Sequence, residues 1–440
     1  MSKKFYIKTY GCQMNVADSE LIAGILEKED FVYVDNVEEA DIVLLNTCSI
    51  REKAENTLRS KISDLKKYKN TKVIGILGCM AERLGDDILK NFSSVDFCMG
   101  PDEYKNISLA INAAFENKRG IFTKLSLTET YEDFLPKRIY SNGVSSFVSI
   151  MRGCNNMCAY CVVPFTRGRE RSRRNTSILK EVEKLSSEGY REITLLGQNV
   201  NSYRFEDVTF ANLLEQVAEV DEKIRIRFTS SHPKDFNRDI IEAMAKHKNI
   251  CKYIHLPVQC GSNTVLERMN RPYTREKYLD KIAEIRDILG EDCGLSTDIM
   301  VGFCGETEKD HEQTLDLMEK VKFDLAYTFA YSERSGTRSA MEMDDDVAHD
   351  VKIRRLNEVI ELQNKHSLER NKRDIGKVEE VLIEGNTKKS DQQWQGRTDS
   401  NKVVIVDEKE NLVLKPGDFI KIKIQDCSSA SLFGEILCDR

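Results

Sequence analysis

The sequence has one tryptophan, Trp394, and six histidines, no two of which stand at metal-ligand spacing. A histidine-built metal centre is therefore set aside, and the histidines are assigned structural roles. No stretch approaches the ~18 consecutive apolar residues of a membrane span, and the opening MSKKFYIKTYG has no apolar core of the signal-peptide kind. The expectation is a cytoplasmic protein with no membrane partner. Positive charge is not in excess either. With 66 basic against 73 acidic residues the net charge is −7, which excludes a uniformly basic nucleic-acid coat and leaves only local patches. Repeats and low-complexity tracts are missing as well. What remains is 440 residues, 40% of them hydrophobic, ample for two to four domains of ~100–200 residues each.

What the chain does hold is cysteine. Thirteen is an odd number, and without a secretion signal it favours reduced thiols in metal or redox chemistry over a disulfide scaffold.

The pattern of elements divides the chain. Over residues 4–120 short apolar runs (FYIKTY, DIVLLN, KVIGILG, SVDFCMG) alternate with amphipathic stretches such as DSELIAGILEKE and AENTLRSKISDLKKYK. That is the rhythm of a parallel sheet covered by helices. Polar residues and a proline at 126–143 suggest a linker. Six further strand candidates follow (SFVSIM, EITLLG, IRIRFTS, KYIHLPV, GLSTDIMVGF, LAYTFAY), each trailed by helical pattern, as in a full or partial (β/α) barrel. Residues 351–373 read as one charged helix, a solvated connector. From 377 onward short strands and Gly, Asn and Pro-Gly turns suggest a small all-β barrel. Its ten basic and twelve acidic residues over 376–440 give no nucleic-acid footprint by composition. The divisions drawn are 1–125, a linker at 126–145, 146–373 and 376–440.

Two cysteine sets stand out. Cys154, Cys158 and Cys161 lie in MRGCNNMCAYCVVP, directly after the first strand candidate of the second domain. A zinc ribbon needs a second CxxC, which is absent, and a redox CxxC formed by Cys158 and Cys161 leaves Cys154 unexplained. Three thiolates on one short loop suit a cubane iron–sulfur cluster with one iron open to a substrate. Cys12, Cys48 and Cys79 are far apart in sequence, yet each follows a strand candidate: IKTYGCQMN, VLLNTCSIRE, IGILGCMAER. In an open parallel sheet the carboxyl ends of strands share one edge, where three thiols can converge; separate core thiols are the alternative. Cys98, after the fourth strand, is read as a packing residue.

The CxxxCxxC loop, with Tyr160 before its last cysteine, resembles the radical S-adenosylmethionine superfamily. Both sets with their flanks resemble the methylthiotransferase family within it along essentially the whole chain. The pieces that match are TYGCQMNVADSE, NTCSIREKAE, GCMAER, MRGCNNMCAYCVVPFTRGRERSR, LLGQNVNSY, TSSHP, HLPVQCGS and TDIMVGFCGETEKD. The tail resembles the family's TRAM domain. The implied fold is a flavodoxin-like α/β domain, a partial TIM barrel and a small OB-like β-barrel. The implied cofactors are two 4Fe-4S clusters with three cysteine ligands each, on Cys154, Cys158 and Cys161 and on Cys12, Cys48 and Cys79, together with S-adenosylmethionine. The family's chemistry uses one S-adenosylmethionine to methylate sulfur at the auxiliary cluster and another to yield a 5′-deoxyadenosyl radical, which takes hydrogen from C2 of adenine.

Flanks narrow the substrate. Gln-Met-Asn after Cys12 is as in the branch acting on N6-isopentenyladenosine at position 37 of tRNA, and Gly-Cys-Asn-Asn at 153–156 is unlike the Gly-Cys-Asp usual in the ribosomal-protein branch. The threonylcarbamoyladenosine and ribosomal-protein branches differ beside Cys12. A non-catalytic RNA-binding metal protein is the rival from another class, and it would call for four ligands per site. The implied partners are a tRNA anticodon stem-loop, an electron donor of flavodoxin or ferredoxin type and an iron–sulfur carrier, with the protein itself a monomer. Cys260 and Cys304 stand where relatives usually carry Ser and Pro, and are taken as neutral variation.

Further residues are assigned on position. Tyr160, Gln198, Asn199, Ser230, Gln259 and Asp298 lie at or near strand ends and are assigned to S-adenosylmethionine, although turn and capping chemistry also explains several of them. RGRERSRR places five arginines, Arg167, Arg169, Arg171, Arg173 and Arg174, after the cluster loop; with Arg397 they are assigned to RNA phosphates, a solvated loop or internal ion pairs being the alternative for the five. Trp394 either stacks on a base or packs.

Overall fold

The computed structural model describes residues 2–49, 59–128, 131–132, 134–408 and 413–437. The first part is a six-stranded, all-parallel sheet of β1 (Lys4–Tyr10), β2 (Val32–Tyr33), β3 (Ile42–Thr47), β4 (Val73–Gly78), β5 (Phe97–Met99) and β6 (Gly120–Phe122), in the order β2-β1-β3-β4-β5-β6. Helices α1 (Gln13–Lys28), α2 (Cys79–Asn91) and α3 (Ile107–Phe115) follow β1, β4 and β5. β3 and β4 are buried at every position because helices cover both faces, which is why IVLLNT and VIGILG read as unbroken apolar runs. Their registers end flush: Tyr10 pairs with Thr47, and Thr47 with Gly78. The strand order reverses between β1 and β3, the position where open α/β sheets bind ligands. The helix expected over AENTLRSKISDLKKYK begins outside the described residues, as does the end of NTCSIREKAE; from 59 the chain is helical into a 3-10 turn at Leu65–Tyr68.

Residues 126–144 form no helix or strand among those described, yet they are not slack. Tyr131 is buried in the first core, and Arg138 reaches Glu20 of α1 and Glu181 of the next domain.

The central part has six parallel strands in two groups. One contains β7 (Ser145–Ser149), β10 (Glu192–Leu196) and β13 (Arg225–Phe228); the other contains β14 (Tyr253–His255), β15 (Gly294–Val301) and β16 (Leu325–Ala330). A bridge from Ile226 to Ile250 joins the groups into an incomplete (β/α) barrel over one continuous core. Two short pieces, β8 (Met151–Arg152) and β9 (Arg171–Ser172), clamp the base of the cysteine loop, and β11 (Arg204–Phe205) and β12 (Val208–Thr209) form a small hairpin after β10.

The charged helix His349–Lys372 is not the solvated connector its composition suggests. Lys352, Arg355, Gln363, His366 and Arg370 are all buried, and Gln363, Ser367 and Arg370 bond the chain at Phe323 and Asp324. Its docking face is polar, so hydrophobic periodicity could not reveal it.

The C-terminal part is a closed five-stranded barrel of Val378–Thr387, Ser390–Arg397, Val403–Asp407, Phe419–Cys427 and Leu432–Ile436. Trp394 packs against its core. Its 397–402 turn seats on the starts of the central strands. Arg225 donates to Arg397 O, Arg227 to Thr398 O and Asp399 O, and Lys252 N to Asp399.

Candidate functional site

At the auxiliary edge, Cys12 caps α1, Cys48 follows β3 and Cys79 opens α2. Two glycines permit the approach. A Cβ on Gly11 would lie 2.8 Å from Cys48 Cβ; Gly78, at φ +92°, would put one 2.4 Å from Thr47 O. Beneath the thiols lies a buried amide pair. Asn15 Nδ2 donates to Asn46 Oδ1 (3.1 Å) and Thr47 O, Asn46 Nδ2 to Asn15 O and Ser19, and Cys12 N and Sγ both bond Asn15 Oδ1. A hydrogen bond with Cys48, helped by Arg167 and the start of α1, brings the Cys12 thiol down to about 6. Burial pushes Cys79 up, against the pull of Arg167, whose Nε donates to its sulfur at 3.2 Å.

At the central barrel, the loop from Gly153 to Arg171 carries Cys154, Cys158 and Cys161. Gly153 sits at φ +77° against Arg169 O, Cys154 N bonds Gly168 O, and Gln198 Oε1 accepts from Gly153 N. Arg271 is buried and donates to Cys158 Sγ (3.4 Å) and Tyr273 OH (2.7 Å). Burial pushes Cys154 up to about 11 and Cys161 to about 12, with the neighbouring thiols adding to both. Tyr160 packs edge-on to Phe303.

Among the described residues no three His, Cys, Asp or Glu side chains stand in a preformed metal-ligating group. The fit to clusters therefore rests on the donor set: at each site three thiols near enough to act on one another, with one buried arginine donating to one of them. For S-adenosylmethionine it rests on polar atoms that lack partners. Gln198 Nε2, Asn199 Oδ1, Ser231 Oγ and His232 Nε2 are buried and unpaired among the described residues, all just past β10 or β13. A ligand rich in amine, carboxylate and hydroxyl groups suits that rim.

The assigned cofactor residues are placed unevenly. Asn199 Nδ2 holds Asp235 at 2.8 Å, and its side chain does not cap the turn it starts. Ser230 and Gln259 occupy left-handed backbone, at φ +66° and +70°, both at strand ends. Asp298 lies within β15, 3.7 Å from His255 Nε2. Arg271 and His232 were missed; both lie in segments without cysteine. His232 is held down to about 2 by burial, with Arg271 and Lys234 adding, so it is neutral; its Nδ1 accepts from Lys234 N, which leaves the proton, and a donor, at Nε2.

The arginine assignment needs correction. Arg167, Arg171 and Arg173 point inward, paired with Asp18, Asp102 and Glu181. Arg167 and Arg171 tie the central loop to the first domain, Arg173 pairs within the central one, and none of the three is open to phosphate. Arg169 and Arg174 are exposed, the latter beside Glu132. Arg397 pairs with Glu384 in the seam under the terminal barrel, at the other end of the central strands from the cysteine loop. Cys98 and Cys260 are fully buried in cores, and burial pushes each up to about 12; Cys304 is buried beside Tyr331.

Residues 4–100 match the uncharacterized protein family UPF0004, 148–318 the radical SAM superfamily and 372–437 the TRAM domain. A tRNA-2-methylthio-N(6)-dimethylallyladenosine synthase of Bacteroides thetaiotaomicron is 52% identical over 99% of this chain and 96% of its own length. One from Amoebophilus asiaticus is 49% identical over 100% and 93%. Among solved structures, a radical S-adenosylmethionine methyltransferase, TsrM, of Kitasatospora setae with cobalamin and a [4Fe-4S] cluster shares the fold at TM-score 0.60 and 15% identity, covering 78% of each chain. Full-length identity near one half, with all three segments in the expected order, places the chain in the methylthiotransferase family of radical S-adenosylmethionine enzymes.

Proposed function

We propose that the protein converts N6-isopentenyladenosine at position 37 of tRNA to its 2-methylthio derivative, using two three-cysteine 4Fe-4S sites. The observation that carries the reading is that Arg167, on the central cysteine loop, bonds the auxiliary thiol of Cys79, in a chain whose relatives bear that activity in their names. When bound, the barrel cluster with S-adenosylmethionine supplies a radical able to take hydrogen from an unactivated C–H, and the auxiliary cluster supplies the methylthio sulfur.

The chain's own residues do the aiming. Cys154, Cys158 and Cys161 hold the first group at the carboxyl rim of the central strands, with Arg271 fixing Cys158. Gln198, Asn199, Ser231 and His232 would offer the polar contacts that orient S-adenosylmethionine; Tyr160, Ser230, Gln259 and Asp298 are assigned to the same ligand, Ser230 and Gln259 from left-handed backbone. Cys12, Cys48 and Cys79 hold the second group on a rigid sheet edge. Buried pairs from Asp18 to Arg152 and Arg167 fix the two sites relative to each other, which proximity-driven chemistry requires. A loop base is the fitting substrate because it reaches such a rim unstacked. The terminal barrel and the exposed Arg169 and Arg174 are the surfaces proposed for tRNA. A small flavodoxin- or ferredoxin-type protein would deliver the electron to a monomer, and an iron–sulfur carrier would refill the clusters.

The test is anaerobic reconstitution followed by incubation with reductant, S-adenosylmethionine and isopentenylated tRNA, then mass spectrometry of the digested nucleosides. A methylthio-isopentenyladenosine peak is expected. Cofactor cleavage without that peak would move the substrate to another branch of the family.

A further inference from the structure

The buried guanidinium of Arg167 touches both halves of the machinery. It lies on the helix Val163–Arg167, six residues beyond Cys161, so it belongs to the central barrel's cysteine loop. Its contacts are in the other domain: Nε donates to Cys79 Sγ at 3.2 Å and Nη2 to Asp18 Oδ2 at 2.7 Å. Its third nitrogen, Nη1, is buried with no hydrogen-bond partner among the described residues. A second orphan lies at the same place. Tyr104 OH is buried and unpaired there, and Asp18, Arg167 and Cys79 are the charges that act on it most strongly. A buried donor left unpaired costs ~1–3 kcal/mol, more when charged, so two of them beside one thiol point to an acceptor that fills the gap.

We propose that Arg167 is a positioning residue for the auxiliary site: its Nε holds the Cys79 sulfur and its Nη1 donates to the sulfur bound beside it, so that the radical-generating loop itself sets the hydrogen bonding of the auxiliary cluster. The proposal rests on the reading of Cys12, Cys48 and Cys79 as a cluster site. N–H···S bonds favour the reduced, more negative state of an iron–sulfur cluster and raise its potential. Arg167 therefore makes the auxiliary cluster easier to reduce only while the two domains are docked.

The test uses the full chain carrying Cys154→Ala, Cys158→Ala and Cys161→Ala, so that bound iron reports the auxiliary site alone. Arg167→Lys and Arg167→Gln are added singly to this background, and Arg152→Lys serves as control because Arg152 pairs with the other oxygen of the same Asp18. Iron per chain and the midpoint potential of the reduced-state electron paramagnetic resonance signal are measured. The expected result is a midpoint shifted negative in Arg167→Lys and further in Arg167→Gln, with Arg152→Lys at the parent value. Loss of iron in the Arg167 variants but not in Arg152→Lys supports the same conclusion more strongly. Unchanged midpoints, or equal shifts or equal iron loss in all three, overturn it and leave Arg167 as packing. No iron in the parent background overturns the auxiliary-cluster reading itself, and the proposal with it.

Discussion

The two cysteine sites solve one problem by opposite routes. The central site is local: eight consecutive residues carry all three thiols, and the loop is closed by the β8–β9 clamp and by Gly153 lying against Arg169 O. The auxiliary site is topological. Its thiols are separated by tens of residues and meet only because β1, β3 and β4 end flush, with Gly11 and Gly78 removing Cβ atoms and the Asn15–Asn46 pair fixing the floor. A local site depends on its loop, whereas a topological one depends on the whole sheet. Damage should therefore separate cleanly.

The largest break comes from the thiols. Cys158→Ala should abolish 5′-deoxyadenosine formation, while Cys48→Ala should spare it and abolish methylthio transfer. Each loss should exceed the ~100-fold that removing an outer-shell partner costs, read by chromatography of the cofactor products and by nucleoside analysis. Equal cleavage by wild type and Cys158→Ala would sink the assignment of roles. Next come the glycines. Gly78→Ala forces a side chain into left-handed backbone and into Thr47 O, and Gly153→Ala does the same against Arg169 O. Each should cost ~3 kcal/mol of local stability, since strain and overpacking each contribute ~1–3 kcal/mol. Iron analysis should show Gly78→Ala losing only the auxiliary cluster and Gly153→Ala only the other.

Asn15→Ala sharpens the contrast. It leaves Asn46 Oδ1 and Cys12 N without their amide, at ~2 kcal/mol in denaturant unfolding, with 5′-deoxyadenosine formation intact. The smallest effect is expected at Glu82, one turn past Cys79, whose Oε2 is buried and unpaired among the described residues. Burial, with Asp102 and Glu103 adding, raises its carboxyl from 4.5 to about 7. The unfolded chain then ionises first, so the wild type loses stability as pH rises from 4.5 to 7. Glu82→Gln should melt higher at pH 8, by on the order of 1 kcal/mol after allowing for partial solvent access, with the gain largely gone near pH 4.5. A gain independent of pH would mean that charge is not the cause.

The same contrast explains what could be read in advance. The central loop is legible because its chemistry is contiguous, and β3 and β4 of the first sheet because fully buried strands are unbroken apolar runs. The auxiliary thiols were visible only as a repeated place after strands, and needed the family resemblance to stand out. Two things were misread for one reason. The arginines of RGRERSRR look like an RNA patch, and the helix His349–Lys372 looks solvated, because a sequence shows charge but not what pairs with it. Asp18, Asp102 and Glu181 lie 149, 69 and 8 residues from their arginines. Arg271 stayed hidden because nothing adjacent marks it as a neighbour of a thiol, and His232 because its partners Arg271 and Tyr273 lie some forty residues on.

Arg225, Arg227, Lys252 and Gly294 stand at the strand starts, so the terminal barrel is bolted to the base of the central one and not to its rim. An eight-residue strand such as β15 spans ~26 Å. Any ligand gripped by the terminal barrel and presented to the cysteine rim must be at least that long. A free nucleoside falls short, and a stem-loop does not. The molecule is in this sense a fixed-jaw gauge, testing reach before chemistry.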